Sequence, residues 1–267
     1  MYAFQYRKAK TLQEAVDFLA QDEEAKPLSG GMTLLPTLKA RLAPPTQLID
    51  IAGLAELAGI ENKGGVLAIG AATRYYQIAT SPVVRAALPA LADLASNIAD
   101  PQVRNRGTIG GSVANNDPAA DCPAAVLGLD AKVITNRREI AADDFFQGMF
   151  ATALEAGELV VRIAFPLPEK AAYAKFPHPA SGYAMAGVFI AQTASDVRVA
   201  VTGAGSGVFR WTEAEQALAK KMDAAAIEKL VLATDDLNED IHGSREYRAQ
   251  LVKVMAARAV AALTGKN

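Results

Sequence analysis

The stretch that decides the fold runs from residue 100 to residue 121 and reads DPQVRNRGTIGGSVANNDPAAD. Its middle part, residues 107–112, holds three glycines, one threonine and one serine within six positions. Since glycine has no Cβ, a backbone this bare can come within hydrogen-bonding distance of a charged ligand. We call residues 107–112 the second glycine segment, and we expect a loop there, with one helix before it and another after it.

The first glycine segment, residues 28–36, reads LSGGMTLLP. It follows a short strand predicted at residues 25–28 and leads into a helix predicted over residues 33–41, and a further strand is predicted over residues 47–51. Ligands of α/β units tend to bind at the carboxyl end of a strand, where this segment lies. Two such segments in one chain predict a large phosphorylated ligand that is held from two sides.

Neither segment has the Gly-x-Gly-x-x-Gly pattern of a nicotinamide site or the Gly-Lys-Ser/Thr ending of a P-loop. The remaining interpretation is a diphosphate cradle, in which successive amides and small hydroxyl groups bind the anion without a lysine. The donors would come from both segments: Ser29, Gly30, Gly31 and Thr33 on one side, and Thr108, Gly110, Gly111 and Ser112 on the other. The alternative, two tight turns with glycines needed for packing, stays open at this point.

Composition and charge argue against several functional classes. The 267 residues are long for one compact domain and sufficient for two or three small ones. A net charge of -2 without any block of like charges argues against a nucleic-acid partner. The single cysteine, Cys122, excludes an intramolecular disulfide and a cysteine-ligated iron–sulfur cluster in this chain, and we expect it to pack as a small buried hydrophobe.

The sequence gives no signal for a metal site or a membrane segment. His178 and His242, the two histidines, are far apart in the chain and lack metal-ligand spacing, so we expect no zinc site. No apolar run is long enough to span a bilayer, and the first residues carry no apolar signal core. We therefore expect no membrane span and a cytoplasmic location.

The rest of the chain predicts a mixture of helices and strands. The Thr11–Glu14 capping box predicts the start of a helix, and the glycines at positions 64 and 65 predict a hairpin turn. A strand over residues 158–165 ends at two prolines and marks a subdomain border. Further helices are predicted from residue 82 and over 88–98, 118–129, 212–221, 223–231 and 244–263, and further strands over 66–70, 132–135, 138–141, 183–192 and 197–202.

Four charged residues close to the second glycine segment are candidates for ligand contacts. Asp117 and Asp121 lie four positions apart and would share one face at the start of the predicted helix. They either complement the helix dipole or accept hydrogen bonds from the hydroxyl groups of a ribityl or ribose chain. Arg104 and Arg106 are either two solvated charges or residues with a docking or phosphate-binding role.

A polar, proline-broken segment later in the chain holds Lys175, His178 and Tyr183. Lys175 would place a positive charge near an electron-accepting ring, and Tyr183 would lie against the face of that ring. The alternatives are a surface lysine and a core tyrosine. Nothing in the sequence resembles a nucleophile–base–carboxylate triad, so we expect no catalytic residue.

Taken together, the two glycine segments resemble the FAD-contacting segments of the medium, or flavoprotein, subunit of molybdenum hydroxylases. This family includes aerobic carbon monoxide dehydrogenase, bacterial xanthine dehydrogenase and related aldehyde and N-heterocycle oxidoreductases. The sequences DPAAD at residues 117–121 and DIHGSREYR at residues 240–248 are similar to the same family pattern. The resemblance covers essentially the whole chain, in order.

This resemblance implies an α+β protein of three parts. Residues 1–55 and 56–166 would form the two halves of a vanillyl-alcohol-oxidase-like (PCMH-type) FAD-binding fold. Residues 167–267 would form a smaller sheet-and-helix domain like the C-terminal domain of the carbon monoxide dehydrogenase flavoprotein. Some relatives carry an extra iron–sulfur cluster in this subunit, which a chain with Cys122 alone cannot hold.

The resemblance also implies which residues contact FAD, and it implies no catalytic and no metal-binding residue. Position 32 is a methionine where the family commonly has glutamine, histidine or asparagine, so only a backbone contact is implied there. Lys175 would reach the flavin, Tyr183 would lie beside the isoalloxazine ring, and Asp121 would match the family's acidic FAD-binding residue. The remaining implied contacts are Ser29, Gly30, Gly31, Met32 and Thr33, then Thr108, Gly110, Gly111 and Ser112, and the apolar neighbours Ile98 and Val161.

As a member of this family, the chain would bind FAD and transfer electrons without hydroxylating the substrate itself. A large partner subunit with a molybdopterin cofactor would oxidise the substrate, and a small partner subunit with [2Fe-2S] clusters would relay the electrons to FAD and on to an external acceptor. The expected assembly is a heterotrimer or a dimer of heterotrimers. Two alternatives stay open: a stand-alone PCMH-type flavin oxidase or reductase with its own small organic substrate, and a scaffold that has lost its flavin.

Overall fold

The computed structural model describes residues 1–265. Its first region is a small parallel sheet of three strands in the order β1-β3-β2, flanked by two helices. The strands are β1 (Gln5–Lys8), β2 (Lys26–Leu28) and β3 (Gln47–Asp50), and the helices are α1 (Leu12–Ala20) and α2 (Leu34–Lys39). The carboxyl end of β2 leads directly into the first glycine segment, as predicted, whereas β1 was not predicted.

Helix α1 begins at the predicted capping residue. The Thr11 hydroxyl accepts a hydrogen bond from the Glu14 amide at 3.1 Å, which satisfies one of the free donors of the first turn. The Glu14 carboxylate accepts from the Lys10 amide at 2.6 Å, one residue before the position that a reciprocal capping box would use. The helix buries Ala15 and Leu19 against the small sheet.

The middle region is an antiparallel sheet of five strands in the order β4-β5-β10-β6-β7. The glycines at 64 and 65 have φ angles of 60° and 78°, which only glycine adopts without strain, and they form the predicted hairpin turn. The strands are β4 (Ile60–Lys63), β5 (Val66–Gly70), β6 (Lys132–Thr135), β7 (Glu139–Ala141) and β10 (Val160–Pro166), and a two-stranded hairpin is formed by β8 (Phe146–Gly148) and β9 (Ala151–Thr152).

Seven helices belong to this middle part of the described chain. They are α3 (Tyr75–Thr80), α4 (Pro82–Ala87), α5 (Pro89–Ser96), α6 (Pro101–Arg104), α7 (Ile109–Asn115), α8 (Cys122–Gly128) and α9 (Ala142–Phe145). Helix α4 begins at Ser81 with a proline in its first turn, as predicted. The helices bury apolar side chains against inward-facing residues of the sheet such as Ile69, Ile163 and Phe165.

The C-terminal region is an antiparallel sheet of four strands in the order β11-β12-β13-β14, covered by two helices. These elements are β11 (Lys170–Pro177), β12 (Ala184–Gln192), β13 (Val197–Thr202), β14 (Phe209–Arg210), α10 (Thr212–Lys220) and α11 (Arg245–Thr264). On β12, Phe189 packs into the core of the middle region, whereas Val188 and Ile190 pack into the core under α11. Both faces of β12 are therefore buried, and the C-terminal sheet lies firmly against the middle region.

Besides the unpredicted β1, three differences between the prediction and the structure matter most: two helices and one strand. The helix predicted over residues 118–129 begins only at Cys122, because the Asp117 carboxylate accepts from the Ala119 amide at 2.9 Å and turns the chain first. The helix predicted over residues 223–231 is reduced to one 3₁₀ turn, Ala224–Ala226. Ile227 and Leu232 are both buried, and five residues apart on an α-helix they would face different directions.

The third difference is strand β11, which the proline-broken segment around Lys175 concealed. The predicted strands and helices elsewhere agree with the structure to within a few residues, and the α+β class is confirmed. Among residues 1–265, no helix is long and apolar enough to cross a membrane. The division into residues 1–55, 56–166 and 167–267 stays a prediction, as does the cytoplasmic location.

Candidate functional site

A cleft of about 820 Å³ lies where the first glycine segment, helix α7 and the turn at residues 180–183 meet. Its size falls within the range of about 300–1,000 Å³ that is usual for small-ligand sites. All of the predicted site residues line this cleft except Val161 and Lys175. Residues that are separated by more than 150 positions in the sequence are therefore brought to one surface.

The first glycine segment contributes free backbone donors. Among the described residues, the amides of 29–33 donate to no backbone or side-chain acceptor. Gly31 has a φ of +73°, and alternation between right- and left-handed backbone turns neighbouring amides toward a common point. This segment can therefore bind an anion through its backbone, as predicted from the sequence.

The second glycine segment is the first turn of helix α7, and this corrects the expectation of a bare loop. Thr108 is the N-cap, and its hydroxyl accepts from the Gly111 amide at 3.2 Å. The amide of Gly110 donates to the Ala71 carbonyl at 2.9 Å, and that of Ser112 donates to the Thr108 carbonyl at 3.0 Å. The amides of Gly110, Gly111 and Ser112, three of the backbone donors expected from this segment, are thus already used inside the protein.

The two glycine segments are in direct contact. The hydroxyls of Ser29 and Thr108 share a hydrogen bond of 3.0 Å. A Cβ on Gly30 would overlap the Arg106 carbonyl oxygen, and a Cβ on Gly110 would overlap Ala71. The packing interpretation therefore applies to Gly30 and Gly110, and it coexists with the binding interpretation.

Gly111 differs from its neighbour because its missing side chain leaves space in the cleft. It is exposed, and the only atom within 4 Å of a Cβ built there is the Thr108 hydroxyl oxygen at 2.9 Å. Helix α7 can therefore approach a ligand most closely at Gly111.

Asp121 is a buried carboxylate at one wall of the cleft. Its Oδ1 accepts from the Tyr173 hydroxyl at 2.5 Å, and the Lys175 ammonium lies 3.0 Å from the same oxygen. Burial raises the pKa of Asp121 above its ordinary value, while Lys175 and the Tyr173 hydroxyl act in the opposite direction. Asp121 is the N-cap residue of α8 but makes no side-chain capping hydrogen bond, so Tyr173 and Lys175 are the partners of its carboxylate.

Lys175 is buried beside the cleft and does not line it. Its side chain is 7% exposed, so the surface-lysine alternative is wrong. The ammonium donates to Asp121, to the Asn97 carbonyl at 2.8 Å and to the Gly182 carbonyl at 3.1 Å. An ammonium has three protons, so a direct contact with a ligand would have to replace one of these bonds. What Lys175 offers the cleft in this arrangement is its charge.

The turn at Ile98 and Ala99 forms another part of the cleft wall. Ala99 has a φ of +44°, an uncommon value for a residue with a side chain. Arg104 donates to the carbonyls of Ile98 and Ala99, both at 2.8 Å, and so holds this turn. Arg104 therefore has a structural role here that the sequence did not indicate, whereas Arg106 is exposed and contributes its carbonyl to the packing of Gly30.

Tyr183 lies at the rim of the cleft and is 41% exposed, so the core-tyrosine alternative is wrong. Partial burial raises the pKa of Tyr183, and the nearby Asp117 raises it further. A hydrogen bond with Thr33 lowers the pKa by a smaller amount. The Tyr183 hydroxyl therefore lies close to Thr33 of the first glycine segment. Val161 does not line the cleft, and its carbonyl accepts from the Ala71 amide at 2.9 Å.

Two further buried groups have electrostatic environments that bear on the site. Glu158 lines the cleft, and the Arg138 guanidinium that binds it lowers its pKa to about 2, so it stays ionised. Cys122 is 2% exposed, and burial raises the pKa of its thiol to about 12. The prediction that Cys122 packs as a buried hydrophobe is confirmed.

The two histidines are close in space despite their distance in the sequence. The rings of His178 and His242 meet edge to face, with centroids 4.3 Å apart. No group of three or more residues that could hold a metal ion occurs among residues 1–265. A stand-alone oxidase would need an acid or base at the flavin. Of Lys175, His178 and Tyr183, only Tyr183 lines the cleft.

Tyr173 is the residue of this site that sequence reasoning missed. It lies two positions before Lys175 on β11, and residues at this spacing share one face of a strand. Recognition of β11 would have placed both side chains beside Asp121. The alternation of small and polar residues in the sequence KAAYAK of residues 170–175 was the available signal.

The geometry fits a dinucleotide with a diphosphate and a hydroxyl-bearing chain. The free amides of residues 29–33 suit the diphosphate, and Asp121 suits hydroxyl donors. The space at Gly111 lets the ligand approach the helix closely.

Two family models match almost the whole chain. The FAD binding domain in molybdopterin dehydrogenase matches residues 2–168, and the CO dehydrogenase flavoprotein C-terminal domain matches residues 171–263. These matches agree with the cleft geometry and with the resemblance inferred from the two glycine segments.

Several named proteins align with this chain over almost its whole length. The carbon monoxide dehydrogenase medium chain of Hydrogenophaga pseudoflava is 37% identical in an alignment 274 positions long that covers 96% of each chain. The glyceraldehyde dehydrogenase medium chain of Sulfolobus acidocaldarius is 35% identical in an alignment 271 positions long that also covers 96% of each chain. A chain of reconstituted CO dehydrogenase from Oligotropha carboxidovorans superposes with a TM-score of 0.92 at 33% identity and covers 99% of both chains.

These similarities confirm the predicted fold of two FAD-binding parts followed by a C-terminal domain. They also confirm FAD as the cofactor and the assignment to the oxidoreductases. The chain belongs to the family of FAD-binding medium subunits of molybdenum-containing hydroxylases and dehydrogenases.

Proposed function

We propose that the cleft binds FAD and that the chain uses it to pass electrons from iron–sulfur clusters of a partner subunit to an external acceptor. The observation that carries this proposal is the set of five consecutive free amides at residues 29–33, which faces a buried carboxylate across one cleft. FAD supplies the chemistry, because its ring accepts and releases electrons. The residues of this chain bind and orient it.

The site residues have distinct tasks in this proposal. The amides of residues 29–33 bind the diphosphate, and the Asp121 carboxylate accepts from ligand hydroxyls. Tyr183 and Ile98 would contact the ring, and the Lys175 ammonium would balance the charge of the Asp121 carboxylate from behind it.

The assembly that follows is a heterotrimer, or a dimer of heterotrimers. A large subunit with the molybdenum cofactor would oxidise the substrate, and a small subunit with [2Fe-2S] clusters would deliver the electrons. Relatives named for glyceraldehyde, carbon monoxide and nicotine align with the chain along nearly its full length. That one medium-chain architecture accompanies such different substrates supports the view that another subunit selects the substrate.

The test is to co-express the chain with its large and small partner subunits, purify the complex and remove only the FAD. The proposal predicts that substrate still bleaches the iron–sulfur absorbance of the FAD-free complex, while reduction of the external acceptor is lost. Added FAD should restore acceptor reduction. An FAD-free complex that reduces the acceptor at the original rate would contradict the proposal.

A second arm of this test addresses the stand-alone oxidase. The isolated full-length chain, loaded with FAD, is mixed with small organic donors, and flavin bleaching is recorded. The proposal predicts no bleaching without the partner subunits. Rapid bleaching by a donor would favour the oxidase instead, and Tyr183→Phe would then show whether the Tyr183 hydroxyl takes part.

A further inference from the structure

The hydroxyl of Tyr173 is a permanent hydrogen-bond donor to Asp121. It donates to Asp121 Oδ1 at 2.5 Å. Burial raises the pKa of Tyr173 well above its ordinary value, and the nearby Asp121 carboxylate adds to this. The hydroxyl is therefore the donor in this hydrogen bond and the Asp121 carboxylate is the acceptor.

The C-terminal sheet leaves a space that fits this hydroxyl. Gly187 on β12 lies beside Tyr173, and a Cβ on Gly187 would overlap the Tyr173 hydroxyl oxygen. The same Cβ would lie 2.9 Å from Cγ2 of Thr202 on β13, so the space is closed on its other side. The glycine has an ordinary φ, and its role here is to make room.

The same sheet fixes the backbone that leads to Asp121. The Thr202 hydroxyl donates to the Ala120 carbonyl at 2.7 Å and lies 3.0 Å from the Pro118 carbonyl. Lys175 binds the Asp121 carboxylate from the strand that carries Tyr173. Strands β11, β12 and β13 thus hold both the side chain and the backbone of one residue in the cleft wall.

An ionised carboxylate has about four acceptor positions, and Tyr173 and Lys175 do not occupy all of them. Since Asp121 lines the cleft, the remaining positions are available to a ligand. We propose that Tyr173, seated beside Gly187, is a positioning residue that presents the Asp121 carboxylate to the hydroxyl groups of FAD. The inference rests on the proposed FAD site and adds Tyr173 to the residues of the C-terminal domain that take part in cofactor binding.

The experiment is a double-mutant cycle on the full-length chain, freed of flavin and titrated with FAD at constant pH and salt. Four proteins are compared by flavin fluorescence: the wild type, Tyr173→Phe, Asp121→Asn and the double variant. Tyr173→Phe should raise the Kd about tenfold, the factor expected for a lost hydrogen bond to a charged group. In the Asp121→Asn background the same change should have no effect, because Tyr173 acts through Asp121.

Tyr6→Phe is a matched control. The Tyr6 hydroxyl also donates to a carboxylate at 2.5 Å, that of Asp50, but neither residue lines the cleft. It should leave the Kd unchanged. Gly187→Ala is a second route to the same test, since it displaces the Tyr173 hydroxyl without removing it, and it too should raise the Kd only when Asp121 is present.

The outcomes separate the two claims. A wild-type chain that takes up no FAD would overturn the proposed function and this inference together. If the wild-type chain binds FAD, two results would overturn only the inference. In one, Tyr173→Phe leaves the Kd unchanged; in the other, it raises the Kd by the same factor in the wild-type and Asp121→Asn backgrounds. In that second result Tyr173 would be a structural contact between domains.

Discussion

The two glycine segments look alike in the sequence, yet the structure uses them differently. In the first segment, residues 28–36, five consecutive amides are free and Gly31 adopts a positive φ. In the second segment, residues 107–112, the amides of Gly110, Gly111 and Ser112 all donate within the protein. In the first segment Gly31 serves backbone conformation and Gly30 serves close packing, whereas in the second Gly110 serves close packing and Gly111 leaves space in the cleft.

This difference teaches that a glycine-rich motif is not one physical device. The first segment supplies the hydrogen bonds that an anion needs. The second supplies a wall that can lie close to the ligand, and Thr108 connects the two through Ser29 at 3.0 Å. Substitutions in the two segments should therefore separate loss of affinity from loss of stability.

The largest effect is expected for Gly110→Ala. Its Cβ would overlap Ala71, whose carbonyl accepts from the Gly110 amide. Backbone atoms cannot move aside as easily as the end of a side chain. Overpacking typically costs about 1–3 kcal/mol, and we expect about 3 kcal/mol or more here. Urea unfolding of the FAD-free chain measures this, and an unchanged midpoint would contradict the packing role of Gly110.

A large loss of FAD affinity is expected for Gly31→Ala. Alanine with a positive φ costs about 1–2 kcal/mol, and its Cβ would lie 3.1 Å from Cδ1 of both Leu28 and Leu35. If the backbone rotates to relieve this strain, the amides of residues 29–33 no longer point toward one anion. The Kd for FAD should therefore rise more than tenfold. Fluorescence titration measures the Kd, and an unchanged value would show that this segment does not bind the diphosphate.

A moderate effect is expected for Gly111→Ala, the neighbour of Gly110 on the same helix turn. Alanine is favoured over glycine in a helix by about 1 kcal/mol, but its Cβ would lie 2.9 Å from the capping Thr108 hydroxyl, so we expect stability to change little. The new methyl group would enter the cleft, so FAD should bind several-fold more weakly. Gly207→Ala is the control, because its Cβ would meet nothing closer than 3.8 Å and it lies away from the cleft. If Gly111→Ala behaves like this control in both measurements, α7 does not approach the ligand at Gly111.

The smallest effect is expected for Ser29→Ala, which removes the hydrogen bond between the two segments. The loss should be about 1 kcal/mol of stability and a two- to threefold weaker binding of FAD. Thr108→Ala should cost more than Ser29→Ala, since it also removes the N-cap of α7. Equal losses in the two variants would mean that the cap contributes nothing.

The sequence predicted much of the fold because local rules and packing agree over most of the chain. The Thr11 cap, the hairpin at Gly64 and Gly65 and the start of α4 at Ser81 all follow from short-range chemistry. The helix expected at 223–231 failed because burial of Ile227 and Leu232 overrode helix propensity. Strand β11 was missed because its polar residues face a buried carboxylate, which sequence alone does not place beside them.

The sequence predicted which residues line the candidate site better than it predicted their hydrogen-bond partners. Residues such as Thr33, Ile98 and Tyr183 do line one cleft. That the second segment would be helical, with its amides occupied, depends on carbonyls of Ala71 and Thr73 that lie far off in the chain. The partners of Lys175 and the contribution of Tyr173 depend likewise on long-range contacts between domains.

Hydrogen exchange of the backbone amides, measured with and without FAD, tests the difference between the two segments most directly. In the FAD-free protein the amides of residues 29–33 should exchange quickly and those of residues 110–112 slowly, because only the latter are hydrogen-bonded. Addition of FAD should strongly protect residues 29–33 and change residues 110–112 little. Protection that appears mainly at residues 110–112, or equally in both segments, would contradict this assignment.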